Sequence, residues 1–207
     1  MNPNPTIEMN KRISNHKGIG EFKTVISELQ STLYYVRAYY TNTHSIYYGN
    51  VVSFSTIDNA VKTDGTLTVK ATTSTYSGEY APHNVVAIWI ESGSGSFVKT
   101  LLTKAGVRKQ YLTNWMKASG GNTTTDATTG ATVNSHSSYT VSWNGKNASG
   151  TTVGDGSYNV CIEFTESNGS GKFATFSFTK GISINSQTPA AKSNISNVIL
   201  TWTPVSK

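Results

Sequence analysis

A single cysteine, Cys161, stands among the 207 residues, so no internal disulfide can form and no Cys-x-x-Cys metal or redox pair exists. Charge is scarce at 14% of residues, and only 11 of these are acidic, which leaves few carboxylates from which a catalytic pair could be drawn. The chain has no Gly-x-Ser-x-Gly elbow, no His-Glu-x-x-His run and no glycine-rich phosphate loop after a strand. No catalytic residue and no enzymatic activity are therefore expected. His16, His44, His83 and His136 each stand apart, without a second ligand at metal-site spacing, and read as surface or turn residues, so no metal is expected either. No run of about 18 apolar residues offers a membrane-spanning helix, so membrane insertion is not expected. Nor is there an amino-terminal pattern of basic residues, apolar stretch and small-residue cleavage site.

What the sequence does hold is aromatic and β-branched residues separated by turn formers. Hydrophobic residues make up 36%, aromatics 11%, tyrosines (11) outnumber phenylalanines (7), and there are 18 glycines. That composition suits an all-β protein, whose strands favour β-branched and aromatic side chains and whose turns consume glycine and asparagine. The net charge of +6 invites a nucleic-acid reading. Lysine and arginine are scattered, however, in small groups at Lys11-Arg12, Lys99 to Lys104 and Arg108-Lys109, without a basic stripe interleaved with aromatics, and no nucleic-acid partner is expected.

The clearest patterning lies in Tyr139 to Phe164. Tyr139, Val141 and Trp143 alternate with polar neighbours, and so do Tyr158, Val160, Ile162 and Phe164, with Asn144-Gly145 and Asp155-Gly156 where each arm meets the loop. The stretch predicts a β-hairpin whose apolar positions join Val86, Ile88 and Ile90 in one core. Cys161 falls on the other face of its arm, as a small residue under a neighbouring loop or sheet. Thr66 to Thr72 reads as a strand. Asn84 to Glu91, apolar on both faces, reads as a central strand, with Phe97 to Leu102 as its hairpin partner. Tyr111, Leu112, Trp115 and Met116 sit at helical spacing and predict a short helix or packed loop across one end of the sandwich. Residues 119–138 have almost no apolar content and predict a long exposed loop. Lys172 to Phe178 and Val198 to Trp202 supply two more strands, with a polar connection between them. A β-sandwich follows for 66–207, with 58–65 as a polar linker.

In residues 1–57, Tyr34, Val36 and Ala38 alternate with Tyr35 and Arg37, predicting a strand with the first three inward and the last two outward. Val52 and Phe54 mark a second strand. The segment LQSTLYYVRAYYTNTHSIYYGNVVSFST resembles the last two strands of a bacterial fibronectin type III domain, with Leu29, Thr32 and Tyr34 on the matching positions, one residue short and without the usual proline. Such a module has about seven strands in about 100 residues, so residues 1–57 are expected to be its carboxyl-terminal part. The missing strands and a secretion signal are then expected upstream of Met1.

The ordered set NVVAIWIESGSGSFVKTL, YLTNW, DATTGAT and SWNGKNASGTTVGDGSYNVCIEF is similar to domain-of-unknown-function family 2271, predicted periplasmic proteins. WNGKNASGTTVGDGSY also resembles the immunoglobulin-like module of flagellar hook-capping proteins. These resemblances span about 65 to 203 and imply an immunoglobulin-like β-sandwich in the periplasm or at the cell surface, with no established activity. They lead to a non-catalytic envelope module that acts as a spacer or binds a protein or glycan partner, the latter through exposed Trp or Tyr.

Asp126-Ala127-Thr128-Thr129-Gly130-Ala131-Thr132 further resembles the Asp-x-x-[Ser/Thr]-Gly-Ala-Thr acceptor of proteins flavinylated by a dedicated transferase. The resemblance implies FMN held as a phosphoester on Thr132, with Asp126, Thr129, Gly130 and Ala131 completing the motif. Composition alone suggests no cofactor; FMN is the one this motif implies, in an extracytoplasmic electron-transfer protein.

Overall fold

The computed structural model describes residues 3–8, 20, 21, 24, 26, 32–55, 61–121 and 124–205. The chain forms two compact units, Met1–Asn59 and Ala60–Lys207.

In the first unit, β1 (Leu33–Thr41) and β2 (Ile46–Ser55) pair antiparallel. Asn42 makes the turn: its Oδ1 accepts the N–H groups of His44 and Ser45 at 3.0 and 2.8 Å, the local bonding that suits asparagine to reversals. The expected division into inward Tyr34, Val36 and Ala38 and outward Tyr35 and Arg37 is not found. Tyr34, Tyr35, Val36 and Arg37 are all half-buried and Ala38 is exposed. A register shift between Arg37 and Tyr39 interrupts the pleat, and residues 3–8 bond to the hairpin at Arg37 and Tyr48. Arg37 donates to Asn4 Oδ1 at 3.0 Å, and Tyr48 Oη accepts the Ile7 N–H at 3.1 Å. A guanidinium stacked over the Tyr48 ring at 4.7 Å and hydrogen-bonded at its edge can occupy a half-buried face. Leu29, one of the positions matched to the fibronectin type III strands, lies outside the described residues.

The second unit contains β3 (Gly65–Thr73), β4 (Val85–Ser92), β5 (Phe97–Lys104), helix α1 (Thr113–Ser119), β6 (Thr128–Gly130), β7 (Ser138–Trp143), β8 (Gly156–Thr165), β9 (Lys172–Lys180), β10 (Asn185–Gln187) and β11 (Ile195–Pro204). They form a sandwich of two sheets, one ordered β10-β11-β3-β7 and the other β6-β5-β4-β8-β9. The expected strands are present, β4 is the central strand of its sheet, and β5 is its hairpin partner. β10 falls in a stretch expected to be polar connection.

The expected Tyr139–Phe164 hairpin is not one. β7 pairs with β3, while β8 pairs with β4 and β9, so the two arms lie in opposite sheets. Period-two patterning tells which face of a strand is buried, and both arms bury the expected face; it does not tell which strand is the neighbour. The connection folds on itself before crossing, with Asn147 Oδ1 accepting the N–H groups of Ser149 and Thr151 at 3.0 and 2.9 Å. Gly145 has φ of 71°, which favours glycine, and a Cβ there would crowd Lys180 Cε at 3.1 Å. At the far end of the crossing, buried Lys180 donates to Asp155 Oδ1 at 2.6 Å, and the Thr63 N–H donates to the same oxygen at 2.9 Å. Val61–Asp64 is thereby bonded to the sandwich.

Between the sheets, Trp143 packs against Tyr158, Phe178 and Trp202 with ring centroids 5.2, 6.0 and 6.1 Å away. Its indole N–H is satisfied by the Lys146 carbonyl at 2.7 Å, as a buried indole requires. Tyr139, Val141, Tyr158, Val160, Ile162 and Phe164 share this core with Val86, Ile88 and Ile90, as the patterning predicts.

A second, smaller cluster explains why β4 is apolar on both faces. Val85, Ala87, Trp89 and Cys161 meet Ala105, Leu112 and Trp115 on the outer side of the five-stranded sheet. The helical segment expected at an end of the sandwich thus lies on a sheet face instead. A helix of seven residues is too short to persist alone. Here Leu112 and Trp115 anchor it, and the Glu163 carboxylate of β8 accepts the N–H groups of Asn114 and Trp115 at 3.1 and 2.8 Å, satisfying donors at its first turn.

Trp143→Ala should destabilise the sandwich by about 3 to 5 kcal/mol, the range for emptying a tryptophan site in a core. Urea unfolding of the two proteins measures it, and a difference below about 1 kcal/mol would contradict the packing.

Candidate functional site

The seven-residue run from Asp126 to Thr132 is not the loose loop expected for 119–138. Thr128–Gly130 forms β6, which pairs parallel with Leu102–Lys104 at the edge of the five-stranded sheet. Two anchors hold the rest. The Ala105 N–H donates to the Gly130 carbonyl at 3.1 Å, and Val133 exchanges backbone bonds with Asn84 at 2.8 and 2.9 Å. Thr132 lies between these anchors, half-buried, while Gly130 and Ala131 beside it are exposed. Asp126, at the other end, is exposed with φ of 56° and accepts a long 3.4 Å contact from buried Lys99.

Two hollows adjoin the Asp126–Thr132 run. Toward α1 an open cleft of about 310 Å³ is lined by Thr103, Lys109, Trp115, Thr124 and Thr129. Trp115 is wholly buried and donates its indole N–H to Thr100 at 2.9 Å, so it supplies a floor and no open ring face. The second, a small hollow of about 20 Å³, room for roughly one water, is lined by Thr132 together with Tyr80, Asn84, Arg108 and Tyr111. The Arg108 guanidinium lies 5.5 Å over the Tyr80 ring, and Asn168 Nδ2 donates to Tyr80 Oη at 2.7 Å. Asn84 Oδ1 is buried and has no hydrogen-bond partner among the described residues.

One wall of the small hollow is fixed by the buried carboxylate of Glu166. It accepts the N–H groups of Tyr76 and Gly78 at 2.9 and 3.1 Å, and its Oε1 stands 2.6 Å from His136 Nε2. His136 Nδ1 is 2.9 Å from Thr73 Oγ1. His136 is therefore not the lone turn histidine expected, because its partner lies 30 positions further along the chain. Burial pushes the Glu166 carboxyl up, but the His136 ring and the two backbone donors outweigh it and bring its pKa down to about 2.

Cys161, buried beneath α1 as expected, is pushed up to about 12 by burial and by the Glu91 charge. A neutral thiol in that position is neither a nucleophile nor a metal ligand at physiological pH. All four tryptophans are buried, so none forms the exposed platform that a glycan-binding reading calls for. Exposed aromatics do occur on β1 and β2, where Tyr40 and Tyr47 stack on each other at 4.8 Å. Among the described residues no group of three His, Cys, Asp or Glu side chains gathers to hold a metal, and no helix is long and apolar enough to cross a membrane.

Residues 64–196 match the profile of a family described as predicted periplasmic protein, domain of unknown function 2271. No curated protein and no solved structure matches the chain.

Two measurements check this geometry. The Glu166 carboxyl titrates at about 2 in the folded chain against an ordinary 4.5, so the stability it confers is full above pH 4.5 and is lost as pH falls toward 2. The gap in urea midpoint between the wild type and Glu166→Gln should be constant above that range and shrink within it; an unvarying gap would contradict the network. Cys161 should resist a thiol reagent at pH 8 in the folded chain and react fully in denaturant, whereas rapid labelling of the folded chain would place it at the surface.

Proposed function

The chain belongs to domain-of-unknown-function family 2271, a family of predicted periplasmic proteins, and on that premise we propose that it is a non-enzymatic envelope protein whose sandwich carries FMN on Thr132. The observation that carries this reading is the placement of an unbroken Asp-x-x-[Ser/Thr]-Gly-Ala-Thr run: it contains the whole of the edge strand β6, with its small residues Gly130 and Ala131 exposed just before Thr132. A modifying enzyme has to close around the acceptor hydroxyl, and an edge strand with minimal side chains offers the approach that a central strand would deny.

The residues present fit the group. Thr132 supplies the hydroxyl for the phosphoester, and Arg108, on the same hollow, supplies a fixed cation for the phosphate charge. Bound there, the flavin would supply redox chemistry that none of the side chains can. What the protein itself contributes is a rigid support: a two-sheet core behind β6, and anchors on both sides of Thr132. The first unit serves in this reading as a fibronectin type III-like spacer.

The test is intact mass after export to the periplasm of a host that also makes the flavin transferase. The wild type should gain the mass of one FMN less the elements of water and turn yellow, and Thr132→Ala should do neither. An unchanged wild-type mass would sink the flavin reading and leave a spacer module, or one that binds a protein or glycan partner through surfaces such as the β1–β2 aromatics.

A further inference from the structure

The small hollow beside Thr132 combines groups with no evident structural purpose in being together. Tyr80 and Tyr111 are half-buried, so each keeps part of its ring at the surface, and Arg108 is exposed yet held over the Tyr80 ring at 5.5 Å. The backbone places Arg108 there: its N–H donates to the Ala105 carbonyl at 2.8 Å, and the Ala105 N–H in turn donates to Gly130 of the acceptor strand at 3.1 Å. Gly106, next in the chain, lies so near the strand that a Cβ on it would be 3.8 Å from Ala131 Cα. The segment carrying Arg108 and Tyr111 is thus tied to the Thr132 backbone. Tyr80 is held from the other side, by its N–H to the Glu166 carbonyl at 2.8 Å and by Asn168 on its hydroxyl. Asn84, almost wholly buried, lines the floor of the same hollow.

We propose that Tyr80, Arg108 and Tyr111 form the docking site for the nucleotide that Thr132 carries, an inference that rests on the flavin reading above. Each group answers one part of such a ligand. A guanidinium pairs with a phosphate diester in two-pronged fashion. A tyrosine ring stacks on a planar heteroaromatic ring. The hollow, at about 20 Å³, is too small to enclose a tricyclic ring. The ring therefore rests on the rim that Tyr80 and Tyr111 make, with one edge left open to a redox partner.

Flavin fluorescence of the exported, loaded protein tests this, because stacking on tyrosine quenches it and docking slows its rotation. Intact mass is measured first: a wild type that gains no FMN overturns both this inference and the reading it rests on. In a loaded wild type, fluorescence should be strongly quenched and its anisotropy should decay with the tumbling of the whole protein. Tyr80→Leu with Tyr111→Leu should restore emission severalfold, and Arg108→Gln should add a fast anisotropy component. A loaded wild type that already emits as free FMN does and rotates freely would overturn the docking site while leaving Thr132 as the acceptor. So would loaded variants that match a quenched wild type.

Discussion

The sandwich depends on one constraint: alternate residues of both sheets must close on the same aromatic cluster, with Trp143 from one sheet lying against Tyr158 and Phe178 from the other. β7 pairs in one sheet and β8 in the other, so the chain between them has to cross. The crossing brings its own requirements. It needs a residue that tolerates positive φ at Gly145, and it carries Asp155 to the buried Lys180, whose ammonium would otherwise be uncompensated. The five-stranded sheet is buried on its second face as well, under Leu112 and Trp115, which fixes β4 and β5 firmly enough for β5 to offer its free edge to β6.

Strand positions and buried faces were legible in the sequence because they rest on period two alone. Val160, Ile162 and Phe164 could be assigned inward without knowing what lay beside them. Partner identity was not legible: the same alternation fits a hairpin or an arch between sheets, and a long loop after Trp143 did not discriminate. Residues 128–130 were invisible as a strand because threonine and glycine carry no hydrophobic alternation, and their pairing comes from the backbone of β5. The β1–β2 hairpin misled in another way, since a register shift and a stacked arginine broke the rule that alternate residues share a fate.

The candidate site divides similarly. The Asp126–Thr132 run could be read from its residues, but not its surroundings: Tyr80 is 52 positions before Thr132 and Glu166 is 34 after it, and only the fold gathers them at one hollow. Charges there have separate tasks. Glu166 is committed to backbone donors and His136 and works as a fastener, whereas the Arg108 guanidinium is exposed against a ring. A buried, hydrogen-bonded carboxylate with a low pKa looks like a functional group by its perturbation alone, yet its bonds are spent on holding residues 76–80 in place.

The central claim is that Thr132 is presented by a structured edge of the sandwich and not by a yielding loop. Hydrogen exchange by NMR on the folded protein tests this most directly at the Ala105 and Val133 amides, which bond to Gly130 and Asn84 on either side of the acceptor. Both should be protected well above the unstructured-peptide rate, as hydrogen-bonded sheet amides are. Exchange at the unstructured rate at both positions would contradict the account, leaving Thr132 on an unanchored segment.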